Sequence, residues 1–199
     1  MDELRNFDFD LILQNASQRK KITAAQYPVF CSNEQYFAIL KTIANKEITP
    51  NLNLINEILE KQNSKPWLLF LGGVGRGKSI NMHVLASFIK TIYNLNSLYF
   101  AVTTQICQND ELAQNCKTAQ LLVLDDFGVE SSMQNKFGNK FSAINEIIEY
   151  RYNFNLPIYI TTNLKGSEMQ QHAGARIVDR IKENCGIVNF DNYFTKSFR

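Results

Sequence analysis

The spacing of hydrophobic and polar positions changes along the chain at about residue 66. Before this point, apolar residues recur at helical spacing in residues 33–45, and residues 52–59 favour a second helix after Pro50. After it, short apolar runs alternate with amphipathic segments, which is the pattern of a parallel sheet covered by helices on both faces. We therefore predict an α/β domain with a short helical extension on its N-terminal side.

The alternating part of the chain contains five predicted strands and four predicted helices. The strands cover residues 67–71, 97–102, 120–125, 157–161 and 186–189. The helices cover residues 79–93, 109–117, 139–154 and 176–183. Residues 131–138 are polar and end in glycine, so we expect a loop between the third strand and the following helix.

The first predicted strand leads into a glycine-rich run, Gly72-Gly73-Val74-Gly75-Arg76-Gly77-Lys78-Ser79. A glycine, four residues and then Gly-Lys-Ser, placed between a strand and a helix, is the pattern of a phosphate-binding loop. In such a loop the backbone N–H groups turn toward the phosphates, Lys78 reaches the β and γ oxygens, and the Ser79 hydroxyl holds Mg²⁺. We predict that this run, together with Ile80, binds ATP or GTP with Mg²⁺.

Two later strands end in polar residues that suit the other side of such a site. Asp125 and Asp126 follow an apolar run, and Asn163 follows another. In open α/β sheets ligands bind at the carboxyl ends of the strands. We expect Asp125 to hold Mg²⁺, Asp126 to orient or deprotonate the attacking water, and Asn163 to position that water or contact the γ-phosphate. For Asn163 an ordinary turn role remains open, because asparagine is common where strands end.

Arg176 and Arg180 lie four residues apart on a predicted helix and therefore share one face, with Asp179 nearby. One interpretation is an ordinary surface helix stabilised by ion pairs. The other is an arginine finger, a cation supplied to the γ-phosphate of a neighbouring subunit, where it stabilises transition-state charge.

Composition and charge limit the classes of partner and the cellular compartment that we expect for this protein. The chain has 199 residues and a formal net charge of +2, so any DNA binding would depend on a local basic patch. Its four cysteines form no Cys-x-x-Cys pair, which argues against zinc and disulfide frameworks and fits a reducing cytoplasm. The N-terminus is too acidic for a signal peptide, and the apolar runs are far too short to span a membrane. We expect a cytoplasmic protein.

The motifs occur in an order that resembles the AAA+ ATPases of the DnaC/DnaI helicase-loader and IstB transposition-helper group. The shared segments are the phosphate loop, Leu-Val-Leu-Asp-Asp-Phe-Gly, Ile-Thr-Thr-Asn, Arg-Ile-Val-Asp-Arg-Ile and a closing Asn-Tyr-Phe-Thr-Lys-Ser-Phe-Arg. The likeness covers residues 33–199 and implies an ATPase domain there, without a separate lid domain. Residues 1–32 form an extension that either packs on this domain or docks a partner protein or nucleic acid.

The resemblance also implies residue roles. Residues 72–79 correspond to Walker A, Asp125 and Asp126 to Walker B, and Asn163 to sensor 1. Arg180 is the first candidate for the arginine finger and Arg176 the second. Arg199 falls where the family has a late arginine that can face nucleotide.

The implied partners are a replicative helicase or, for an IstB-like helper, a transposase. Single-stranded DNA and a homo-oligomer formed with ATP are also implied. Two functions from other classes remain open. One is a small-molecule kinase, which shares the phosphate loop. The other is a nucleotide-gated binding module with little turnover, because Asp126 is one methylene shorter than a glutamate.

Overall fold

A computed structural model describes residues 26–45, 49, 51–129 and 141–194, with the backbone alone at residues 141 and 142. Three predictions concern residues outside these ranges. They are the loop at residues 131–138, the role of Arg199, and most of the extension at residues 1–32.

The described residues form five strands and eight α-helices. The strands are β1 (Trp67–Leu71), β2 (Leu98–Val102), β3 (Leu121–Phe127), β4 (Ile158–Thr162) and β5 (Cys185–Asn189). The helices are α1 (Asn33–Ala44), α2 (Leu52–Ser64), α3 (Lys78–Tyr93), α4 (Thr103–Ile106), α5 (Asp110–Thr118), α6 (Phe141–Asn153), α7 (Gly166–Ala173) and α8 (Ala175–Asn184). A 3-10 turn, Phe190–Asn192, follows β5.

The five strands form one sheet in the order β2-β3-β4-β1-β5, and every pair is parallel. Strand β4 therefore lies between β1 and β3, although it follows both in sequence. Because all strands run in the same direction, their carboxyl ends meet at one edge of the sheet. This edge collects the phosphate loop after β1, the two acids at the end of β3, and the polar end of β4.

Both faces of the sheet are covered, as the alternating pattern predicts. On β1, the side chains of Leu68 and Phe70 belong to a buried cluster that contains residues of α1, α2 and α3. Trp67 and Leu69 point to the opposite face and join residues of α5, α6, α7 and α8. The helices before residue 66 thus share the core of one sheet face with α3.

The predicted helices and strands are present, but two helices were missed and one is longer than expected. Helices α4 and α7 have no clear amphipathic pattern, since α4 is a single turn and α7 is mostly polar. Helix α2 continues from the predicted end at residue 59 to Ser64. Its polar last turn is stabilised by tertiary contacts, because the buried Gln62 accepts a hydrogen bond from the Val29 N–H at 3.0 Å.

Polar side chains fix several of the helix starts. Ser32 and Gln35 form a capping box at the start of α1, where each side chain bonds the backbone N–H of the other residue. Asn51 caps α2 and Asn109 caps α5, each through its side-chain oxygen.

One buried arginine ties β4 to its surroundings. Arg151, at the end of α6, is fully buried and donates hydrogen bonds to the carbonyls of Cys116 at 2.8 Å and Pro157 at 2.5 Å. Burial lowers the pKa of Arg151 to about 10, which leaves the guanidinium charged at neutral pH. This cation joins the end of α5 to the residue that precedes β4, and so anchors the amino end of the central strand. In the part of the chain described here, no helix is long and apolar enough to cross a bilayer.

Candidate active site

The phosphate loop connects β1 to α3 through backbone conformations that favour glycine. Gly77 immediately precedes α3 and has φ +84°, a region that residues with a Cβ rarely adopt. Gly72 has φ +140°, and a Cβ there would lie 3.1 Å from the Cβ of Phe190. The loop therefore follows a path that its glycines permit, and it is packed closely against the turn that follows β5.

Lys78 is the first residue of α3, and its side chain is buried inside the loop. Its Nζ donates to the carbonyls of Gly72 at 2.7 Å and Gly73 at 2.9 Å, and to Oδ1 of Asn163 at 2.7 Å. Burial lowers the pKa of Lys78, and nearby carboxylates, led by that of Asp126, oppose this shift. The ammonium is thus held at the loop and joined directly to the end of β4.

Ser79 and Asp125 are in direct contact. The Ser79 hydroxyl donates to Oδ1 of Asp125 at 2.9 Å, and the Thr161 hydroxyl donates to the same oxygen. A hydroxyl and a carboxylate are hard oxygen ligands that suit Mg²⁺, which typically takes one or two carboxylates and completes its shell with phosphates and water. The described residues contain no group of three or more His, Cys, Asp or Glu side chains that could hold a metal without such help.

Asp126 lies at an irregularity in β3 and lines the cavity described below. Its φ is +57°, which is uncommon for a residue other than glycine, although aspartate tolerates it better than most. Two threonines hold its backbone in this conformation. The Thr103 hydroxyl donates to the Asp126 carbonyl at 3.0 Å, and the Asp126 N–H donates to Oγ1 of Thr161 at 3.0 Å.

A cavity of about 480 Å³ opens beside the loop and has a polar end and an apolar end. The polar end contains Lys78, Ser79, Asp126 and Asn163. Apolar side chains from α1, α2, α3 and the C-terminal segment line the other end: Leu40, Leu54, Ile55, Ile80 and Phe194. A cavity of this size, mostly apolar with a few convergent polar groups, is typical of a small-molecule site.

Helix α1 is linked to the loop by hydrogen bonds that pass through Asn81 of α3. The hydroxyl of the buried Tyr36 in α1 donates to Oδ1 of Asn81 at 3.0 Å, and the Asn81 amide donates to the Gly77 carbonyl at 2.8 Å. A side chain from α1 thereby supports the last turn of the phosphate loop. This contact could not be predicted, because Tyr36 has the spacing of an ordinary core residue of a helix.

Asp191 is a second residue that the sequence analysis missed. Its carboxylate accepts from the Gly73 N–H at 3.1 Å and from Nε of Arg76 at 3.1 Å. It follows β5, the neighbour of β1, so it reaches the same sheet edge as the loop. Its position after the last predicted strand was the one signal available, and a single acid there is too common to be informative.

Arg176 and Arg180 are not among the described residues that line the cavity. Both are instead paired with Glu149 of α6. Nε of Arg176 lies 3.0 Å from Oε1 of Glu149, and NH1 of Arg180 contacts Oε2. The Arg180 guanidinium also lies over the ring of Tyr152, 4.4 Å from its centroid. The Arg176 side chain is 75% exposed and that of Arg180 is 13% exposed, so Arg176 is far more accessible to another molecule.

Cys31, Cys116 and His83 are packed against other side chains and have no apparent role in the site. Burial raises the pKa of Cys31 to about 12 and that of Cys116 to about 11, so neither is a thiolate at neutral pH. The ring of His83 stacks on Phe100 with the centroids 3.6 Å apart, and burial lowers its pKa. None of these side chains contributes to the cavity in the described residues.

Comparison with known proteins identifies the fold. No protein-family model matches the chain, and no curated protein matches it by sequence. Among solved structures it is similar to the DnaC helicase loader, with a TM-score of 0.59 and 22% identity, over 79% of this chain and 99% of that one. DnaI matches with a TM-score of 0.60 and 20% identity, over 85% of this chain and 95% of that one.

A third similar structure is the replication initiator DnaA bound to AMPPCP and single-stranded DNA. It matches with a TM-score of 0.54 and 16% identity, over 74% of this chain and 48% of that one. At these identities the likeness shows the fold. The predicted fold, a parallel sheet flanked by helices like that of DnaC and DnaI, is confirmed.

Proposed function

We propose that this chain is a Mg²⁺-dependent ATPase whose nucleotide lies in the cavity beside the phosphate loop. One observation carries the proposal: Lys78, Ser79, Asp125 and Asn163 are joined by hydrogen bonds at one sheet edge, although they come from three separate parts of the chain. The similar DnaA structure, which contains an ATP analogue, supports nucleotide binding by this fold.

The polar end of the cavity fits the triphosphate. Lys78 would exchange its carbonyl partners for β and γ oxygens, which the N–H groups of the loop also bind. Ser79 and Asp125 would hold Mg²⁺, which neutralises developing charge on the phosphates. Asp126 would orient or deprotonate the attacking water, and the Asn163 amide would contact that water or the γ-phosphate.

The apolar end of the cavity fits the base. Its aliphatic residues and Phe194 offer apolar surface of the kind on which a purine packs. Because several of these residues belong to α1 and α2, the N-terminal helices would contribute directly to nucleotide affinity.

Hydrolysis must be distinguished from phosphoryl transfer to a small acceptor. The purified chain is incubated with Mg²⁺ and ATP labelled on the γ-phosphate, and the labelled product is identified. Inorganic phosphate as the main product, absent with Lys78→Ala, supports the ATPase. Label that appears in a small metabolite only when cell extract filtrate is added would support a kinase and overturn the proposal.

We further propose that the ATPase serves DNA replication as a helicase loader. The supporting observation is the fold shared with DnaC and DnaI over most of both chains. The partners would be a replicative helicase and single-stranded DNA, and the chain would act as a homo-oligomer when ATP is bound. Co-elution of the tagged chain with its host's replicative helicase, in the presence of ATP, is the expected result. Co-elution with a transposase would instead indicate the IstB-like role.

A further inference from the structure

Thr161 occupies a central place at the sheet edge. Strand β4 lies between β1 and β3, and Thr161 pairs with Phe70 of β1 on one side. On its other side is the irregular part of β3. Any group at this position therefore lies between the phosphate loop and the two acids.

The irregularity in β3 places both acids opposite this one threonine. Leu124 pairs with Ile160 and Phe127 pairs with Thr162, so β3 has two residues where β4 has one. The two residues are Asp125 and Asp126, and the one is Thr161. Such a bulge bends the strand and redirects side chains, and bulges are frequent beside active sites.

The Thr161 hydroxyl bonds both acids at once. It donates its proton to Oδ1 of Asp125 and accepts the N–H of Asp126 at 3.0 Å. A hydroxyl has one proton and two lone pairs, so this single group satisfies a carboxylate oxygen and a backbone donor together. Thr161 is fully buried, so water cannot easily replace these bonds.

Ser79 donates to the same oxygen of Asp125. Under the proposed function, the Ser79 oxygen would turn to Mg²⁺, leaving Thr161 to hold the carboxylate. We infer that Thr161 is a positioning residue that keeps Asp125 oriented for the metal and fixes the backbone of Asp126. This inference rests on the proposed function and assigns Thr161 no contact with nucleotide.

The neighbouring threonine provides a matched control. Thr162 is also fully buried, but its hydroxyl donates to the Phe127 carbonyl at 2.6 Å and accepts from the Leu164 N–H at 3.0 Å. Successive residues of a strand point to opposite faces, so the Thr162 side chain points away from the carboxylate of Asp125, and the bonds given above are to backbone groups. Replacing either threonine by valine removes one buried hydroxyl and keeps the shape.

The test measures the affinity for AMPPCP by calorimetry, with Mg²⁺ and with EDTA, in the full chain. Mg²⁺ should raise the affinity for AMPPCP about tenfold less in Thr161→Val than in wild type, because a tenfold change corresponds to about one hydrogen bond to a charged group. The affinity of Thr161→Val in EDTA should stay within about twofold of wild type. Thr161→Ser should restore most of the gain, and Thr162→Val should keep it even if its melting temperature falls.

Two results would overturn the inference: a full Mg²⁺ gain in Thr161→Val, or a Thr161→Ser variant as impaired as Thr161→Val. Failure of the proposed function looks different. In that case wild type itself would bind AMPPCP no better with Mg²⁺ than with EDTA, and every variant would behave like wild type.

Discussion

The polar cluster at the sheet edge (Lys78, Ser79, Asp125 and Asn163) and the arginine pair on α8 both combine a basic side chain with a carboxylate, but in different arrangements. In the cluster, Lys78 bonds Asn163 and Ser79 bonds Asp125, and Lys78, Ser79 and Asn163 also line one cavity. On α8, Arg176 and Arg180 share the single carboxylate of Glu149, outside the described lining of that cavity. The first arrangement would provide the parts of the proposed nucleotide site within one chain. The second provides a cation that would need a second chain in order to act on nucleotide.

The two arginines also differ from each other. The contacts of Arg180 with Glu149 and Tyr152 would both have to break before it could reach another subunit. Arg176 is largely exposed and would have to release only Glu149. These contacts favour Arg176 as the finger, the reverse of the ranking that the resemblance implies, and both assignments remain proposals.

The largest expected effect is in the cluster. Lys78→Ala should weaken ATP binding by about 100-fold or more, because it removes the buried cation that would face the triphosphate. Lys90→Ala, at an exposed position on the same helix, is the matched control and should bind normally. Equilibrium titration with a fluorescent ATP analogue measures both. Near-normal affinity in Lys78→Ala would contradict the assignment of the loop.

Asp126→Asn should separate binding from turnover. We expect ATP affinity within about threefold of wild type and single-turnover hydrolysis slower by about 100-fold, the usual contribution of a positioned base. Asp110→Asn, on the exposed first turn of α5, controls for the loss of a carboxylate elsewhere. If hydrolysis by Asp126→Asn matched wild type, Asp126 would not be the residue that activates water.

Replacing Arg176 should affect hydrolysis in assemblies and leave ATP binding unchanged. Arg176→Ala should bind ATP normally and hydrolyse it more slowly by at least about tenfold in assemblies, because a cation facing the transition state is lost. Mixing it with Asp126→Asn should restore part of the activity, since the second variant supplies Arg176 to a subunit with an intact Asp126. Phosphate release from the mixture above the sum of its components is the diagnostic result.

Arg180→Ala should instead lower stability. Loss of its ion pair and of the contact with Tyr152 should cost about 2 kcal/mol of unfolding free energy, moderated because Glu149 keeps Arg176 as a partner. Denaturant unfolding measures this, with Arg176→Ala as the control at an exposed site. An unchanged stability together with loss of turnover in assemblies would return the finger role to Arg180.

The smallest expected effect concerns Asp191. Asp191→Asn keeps an acceptor for the Gly73 N–H but removes a negative charge beside the loop and the ion pair with Arg76. We expect ATP to bind about threefold more tightly at low salt, with the difference shrinking as salt is added. Weaker binding would show that the ion pair stabilises the loop more than its charge opposes the triphosphate.

The parts of the site that the sequence predicts are those carried by short contiguous patterns. The glycine loop, the paired acids and the Thr-Thr-Asn segment each follow an apolar run, and parallel strands bring such ends to one edge. The bulge opposite Thr161 could not be predicted, because it depends on the register between β3 and β4. The pairing of Glu149 with two arginines depends on how α6 packs against α8.

In the fold as well, features carried by local patterns are predictable and features that depend on distant contacts are not. Alternating apolar strands and amphipathic helices predict the parallel sheet and its two covered faces. The last turn of α2 was missed because Gln62 is polar, and it is buried only through partners such as Val29 and Tyr159 that lie far away in sequence. Helix α4 is too short for any periodicity to appear.

In the proposed function, one chain carries an ATPase site which a second copy completes. Its most direct test is phosphate release per chain at saturating Mg²⁺-ATP, measured across a wide range of protein concentrations with sedimentation to follow assembly. We expect turnover per chain to rise as the chain assembles and to reach a plateau when assembly is complete. Turnover per chain that stays constant through that transition, or no phosphate release in fully assembled protein, would contradict it.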